Sequence, residues 1–75
     1  MPLAFVMANT VPDQMESVLK KIERIKGVQE AYMIYGIYDI AVMVKAGTIE
    51  ELKETILHMR TVEYVNHTVT LMVRR

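Results

Sequence analysis

The chain opens with Leu3-Ala4-Phe5-Val6-Met7-Ala8, an uninterrupted apolar run that predicts a strand covered on both faces. Pro12, followed by Asp13 and Glu16, marks a helix start, because proline suits the first turn and carboxylates favour the positive end of the helix dipole. Met15, Val18, Leu19, Ile22 and Ile25 then recur at steps of three and four and form one apolar stripe. Gly27 stands where such a helix ends. Residues 28–35 predict a second strand, Gly36-Ile37 a tight two-residue turn, and 38–44 a third strand. Thr48 with Glu51 has the spacing of a capping box and opens a second helix, whose stripe is Ile49, Leu52, Ile56 and Met59. A last strand spans about 64–73.

The order is βαββαβ. Displaced by 37 positions, the halves match at apolar residues: Met15 on Leu52, Leu19 on Ile56, Ile22 on Met59, Ile25 on Val62, Val28 on Val65, Tyr32 on Val69 and Ile34 on Leu71. Any two strand–helix–strand units share such a pattern, so it fixes the architecture whether or not it records a duplication. Two right-handed split βαβ units give a ferredoxin-like α+β plait, a four-stranded antiparallel sheet with two helices on one face.

Strict alternation sorts the strand residues into two faces. It assigns Val28, Tyr32 and Ile34, then Tyr38, Ile40, Val42 and Val44, then Val65, Val69, Leu71 and Val73 to the helix side. The other face receives Ala31, Met33 and Tyr35, then Asp39, Ala41 and Met43, then Thr68, Thr70 and Met72. A sheet face open to water should be polar. This one is dominated by Ala, Met, Tyr and Thr, and an apolar patch of that kind marks an interaction surface. The expectation is a homodimer formed sheet face to sheet face, with Met33, Tyr35, Ala41, Met43 and Met72 in the interface and higher assemblies built from it.

Composition supports association. The 75 residues make a single domain, and a core of that size supplies only roughly 3–5 kcal/mol by itself. There is no cysteine, which excludes disulfides and thiolate metal sites. Nine Lys+Arg balance nine Asp+Glu, which argues against a dedicated nucleic-acid or membrane-surface domain. The longest uncharged stretch, 1–12, is too short to cross a bilayer and lacks a positive n-region, so a cytoplasmic protein is expected.

No catalytic constellation stands out, and neither an enzyme nor a bound cofactor or metal is expected. Ser17 lies inside the first helix, His58 and His67 have no metal-ligating neighbours, and the glycines are isolated. His58 reads as a solvated surface residue and His67 as a rim residue near the start of the last strand. Lys20, Lys21, Arg24 and Lys26 read as a solvated face at a helix C-terminus.

What remains is the hairpin Tyr35-Gly36-Ile37-Tyr38-Asp39. Asp39 lies where the apolar face meets the turn, and Thr68 and Thr70 put two hydroxyls on that face. Together they could clasp a free amino acid: Asp39 and backbone carbonyls accept from the ammonium, while turn amides and threonine hydroxyls donate to the carboxylate. Turn Gly and Asp are also ordinary hairpin chemistry.

The whole chain resembles a stand-alone RAM domain, the module for regulation of amino-acid metabolism found in the Lrp/AsnC feast/famine regulators. The resemblance rests on Val28 opening the second strand, the Gly36-x-Tyr38-Asp39 hairpin, the Glu50-Glu51-Leu52 helix start and Val65-x-x-Thr68-x-Thr70 in the last strand. It implies sheet-face dimers that assemble further, often into octamers or related rings, with a free amino acid as effector between dimers near the Gly-x-Tyr-Asp turn. The ligand-binding residues it implies are Gly36, Tyr38 and Asp39, with Thr68 and Thr70 from the same or a neighbouring subunit.

Two departures stand beside it. Members usually carry an N-terminal helix-turn-helix domain, whereas here the sensing fold begins at residue 3, so a single RAM-like domain over 1–75 without direct DNA reading is expected. The last strand is usually preceded by Pro-Gly, and here by Glu63-Tyr64. The function expected is an amino-acid-binding oligomeric module that modulates transcription indirectly, by assembly with full-length Lrp/AsnC relatives. The alternatives are a small dimeric plait enzyme of monooxygenase or isomerase type and a purely structural assembly domain.

Overall fold

The computed structural model describes residues 1–74. Strand β1 (Leu3–Thr10) leads through a 3-10 turn (Pro12–Gln14) into helix α1 (Met15–Glu23); β2 (Val28–Met33), β3 (Ile40–Lys45), α2 (Ile49–Arg60) and β4 (Val65–Met72) follow. The sheet order is β2-β3-β1-β4, antiparallel throughout. This is the α+β plait expected, with both helices packed on one face. Ala4, Val6, Ala8, Ile40, Val42 and Val44 meet Val18 and Ile22 of α1 and Leu52, Ile56 and Met59 of α2 in one buried cluster. Each large aliphatic side chain hidden there contributes about 1.5–3 kcal/mol.

The helix starts differ for a readable reason. Thr48 Oγ1 accepts from the Glu51 N–H at 3.1 Å and donates to Glu51 Oε1 at 3.2 Å, so α2 is capped from its first turn. The carboxylate thus meets the hydroxyl rather than the Thr48 amide of a full capping box. Val11 has no side-chain acceptor, and its carbonyl instead takes the Gln14 N–H at 2.9 Å, which tightens the first turn to 3-10.

The helix ends agree closely. Arg24, Ile25 and Val28 donate to the carbonyls of Lys21, Ile22 and Ile25, and Thr61, Val62 and Val65 donate to those of His58, Met59 and Val62. Gly27 has φ 100° and its counterpart Tyr64 has φ 77°. Two residues later each edge strand carries a bulge, leaving Gln29 and Asn66 without a cross-strand partner. Agreement at irregular positions goes beyond a shared apolar pattern and supports duplication.

The bulges correct the expected faces of both edge strands. An extra residue in one strand reverses the parity of everything after it. In β2, Ala31 and Met33 lie opposite the buried Val42 and Ile40, while Tyr32 lies opposite Ala41. In β4, Thr68, Thr70 and Met72 lie opposite the buried Ala8, Val6 and Ala4, while Val69 and Leu71 lie opposite Met7 and Phe5. Ala31, Met33, Thr68, Thr70 and Met72 are therefore on the helix side, and Tyr32, Val69 and Leu71 on the open side. Val28 and Val65 precede the bulges and pack against the core as expected. Ile40, Val42 and Val44 are buried as expected, and Ala41 and Met43 alternate to the open face.

The open face keeps its apolar character with other members: Phe5, Met7, Tyr32, Ala41, Met43, Val69 and Leu71. On this face Glu30 accepts a hydrogen bond from the Tyr32 hydroxyl, and that bond together with the carboxylate's charge raises the phenol above its ordinary pKa.

Candidate functional site at the loop end of the sheet

β1 and β2 finish, and β3 and β4 begin, at the same end of the sheet. The β2–β3 connection there is longer than the expected two-residue turn. It occupies residues 34–39 and is closed by the Ile34 N–H donating to the Asp39 carbonyl at 2.9 Å. Gly36 has φ 131°, a region closed to side chains by sterics rather than by neighbours, since no atom lies within 4 Å of where a Cβ would stand. Tyr35 and Ile37 on either side stand out in solvent.

The loop then folds back over the sheet end. Tyr38, expected on the helix side, lies outside β3, and its ring stacks over His67 of β4 with centroids 6.4 Å apart and planes 12° from parallel. The Asp39 N–H donates to the Ala8 carbonyl at 3.0 Å. Its Oδ2 accepts from the Thr10 N–H at 2.9 Å, a contact between residues 29 apart in sequence. Thr10 is only 4% exposed, so this carboxylate satisfies an amide that water scarcely reaches. One oxygen is engaged in holding the end of β1, and the other keeps acceptor capacity.

Gly36, Tyr38 and Asp39 are thus brought into one loop. Thr68 lies at the same end, opposite Ala8, half-buried on the helix side; Thr70 lies further into the sheet, opposite Val6. His67, expected at the rim, is joined to the site by its stack with Tyr38. The Thr10 amide had no sequence signal, because the contact is set by how β1 and β3 align. A larger groove of about 1090 Å³ lies at the opposite end, where Lys21, Arg24, Lys45, Glu51, Glu54 and His58 line it together with Gly27 and Ala46, and it includes no residue of the loop. Among the described residues no group of three or more His, Cys, Asp or Glu could hold a metal ion, and no helix is long and apolar enough to cross a membrane.

A family model described as the Lrp/AsnC ligand binding domain matches residues 3–75. The chain belongs to that family. Lrp/AsnC proteins are regulators rather than enzymes, which sets aside the monooxygenase and isomerase alternatives. No curated protein matches the chain. Among solved structures, TTHA0845 from Thermus thermophilus is 28% identical with a TM-score of 0.94, over 100% of this chain and 95% of that one. E. coli AsnC is 26% identical with a TM-score of 0.90, over 99% of this chain and 51% of AsnC, so the chain spans about half of that Lrp/AsnC protein. The feast or famine regulatory protein Rv3291c from M. tuberculosis, complexed with L-methionine, is 21% identical with a TM-score of 0.82, over 100% of this chain and 51% of that one. At that identity the likeness carries the fold.

Proposed function

We propose that this Lrp/AsnC domain binds a free amino acid at its Gly36–Asp39 end and modulates transcription indirectly in the cytoplasm, by assembling with itself and with full-length Lrp/AsnC relatives. The observation that carries the ligand reading is the Asp39 carboxylate, fixed by the Thr10 amide beside the Tyr38–His67 stack. A carboxylate already oriented, with acceptor capacity left over, suits an ammonium group. Family membership and the L-methionine bound by the M. tuberculosis relative support an amino acid as the class. Self-association is supported by the apolar open face, on which Ala41 and Met43 stand with Phe5, Met7, Tyr32, Val69 and Leu71. Tyr35 stands in solvent outside the strands, and Met33 and Met72 lie on the helix side of the edge strands, so these three are outside that face.

A thermal-shift panel of the L-amino acids tests this. A ligand of the folded state present at a hundred times its Kd stabilises by about 2.7 kcal/mol, which in a domain of this size raises the melting point by about 10–20 °C. Asp39→Asn keeps an acceptor for the Thr10 amide but removes the charge, so the variant should fold and lose the response. Asp39→Ala strands that amide at a cost of about 1–3 kcal/mol and is the poorer test. Silence of the wild-type domain toward every amino acid at millimolar concentration would remove the ligand reading and leave a structural assembly domain.

A further inference from the structure

The bulge in β4 opens a second, smaller recess next to the loop. Arg60, Val65, Asn66, His67 and Thr68 line a volume of about 250 Å³. Arg60 reaches it from the last turn of α2, and His67 is the residue that stacks on Tyr38. The recess lies below the roughly 300–1,000 Å³ of ordinary ligand pockets, and so suits a polar head group rather than a whole bulky ligand. Bulges re-aim side chains beside binding sites.

The repeat supplies the decisive comparison. The first half has the same helix end and the same bulge, but Glu23, Gln29, Glu30 and Ala31 stand where the second half has Arg60, Asn66, His67 and Thr68. The backbone frame is common and the chemistry is inverted: two carboxylates in one half, a guanidinium and an imidazole in the other. The backbone is also strained in this half alone, since Tyr64 holds φ 77° where Gly27 stands in the other. A strained non-glycine residue beside a recess is a mark of a functional site.

We propose that this recess receives the carboxylate of the amino-acid effector, with Arg60 as its main partner. A guanidinium can donate two parallel N–H bonds to a carboxylate, and the hydroxyl of Thr68, on the same helix side of β4, is a further donor beside it. The ammonium then falls on the Asp39 side of the Tyr38–His67 stack. The inference rests on the amino-acid reading above and adds which end of the ligand goes where.

The test uses the whole domain with each L-amino acid and with the carboxamide of every amino acid that responds. The wild type should respond to the free acid and not to the amide. Arg60→Gln should weaken binding of the acid by about tenfold or more and cease to distinguish it from the amide. Arg60→Lys, which keeps the charge without the fork, should recover part of the preference; it also decides the matter should Arg60→Gln fail to fold. An Arg60→Gln or Arg60→Lys domain with wild-type affinity and preference, or a wild type that binds the amide equally well, overturns the recess while leaving the amino-acid reading intact. A wild type that responds to no amino acid removes both.

Discussion

Tyr64 occupies backbone space that L-residues avoid, because the left-handed region crowds Cβ against the following carbonyl at a cost of about 1–2 kcal/mol. The carbonyl of Tyr64 accepts from the Val11 N–H at 3.0 Å, so the conformation is held from outside. Tyr64→Gly should relieve the strain and give back about 0.5–1 kcal/mol through the freer unfolded chain. The expected net is a stabilisation of about 0.5–1 kcal/mol, a rise of about 2–8 °C in melting temperature with an unchanged urea m-value. The opposite sign awaits Gly27→Ala, where φ is 100° and the new Cβ would meet Thr55 Oγ1 at 2.9 Å. A destabilised Tyr64→Gly would mean that the half-exposed ring packs more favourably than its backbone is strained.

Whole elements follow the periodicity of the sequence closely. Both apolar helix stripes, the βαββαβ order and the faces of β3 are legible, because each rests on a regular period; the unbroken apolar run of β1 marks a strand but hides that Phe5 and Met7 face the open side. The edge strands are not. Gln29 and Asn66 are ordinary polar residues, and nothing in their chemistry marks a bulge. In Val69-Thr70-Leu71-Met72 apolar residues occur at both parities, so the pattern does not reveal which face is which. The loop site divides in the same way. Gly36-x-Tyr38-Asp39 shows itself through turn chemistry, whereas the Asp39–Thr10 bond and the Arg60 recess depend on alignment and on the bulge. Neighbours on β4 make the parity testable. Leu71 faces the open side and Met72 the helix side, and both are about half exposed. Leu71→Glu should weaken self-association in sedimentation equilibrium by far more than Met72→Glu; equal effects would deny that the bulge sets the faces of this strand.

At the scale of the molecule, a small core and an apolar sheet face are the conditions under which association adds stability. Phe5 sits at the centre of that face, between Met43 on one side and Leu71 on the other, and is 39% exposed. The wild-type melting temperature should therefore rise with protein concentration, as it does when folding and assembly are linked. Phe5→Glu would bury a charge without a partner and should give a concentration-independent melt and a monomer by sedimentation. The proposed ligand end lies on this same sheet, with Tyr38 stacked on a residue of β4. An effector shifts assembly only by binding one state more tightly than another, and the coupling is reciprocal. The Phe5→Glu monomer should then bind the amino acid more weakly by the same factor by which the amino acid tightens wild-type association. Unchanged affinity in the monomer, together with ligand-dependent association of the wild type, would break that equality and separate the site from the interface.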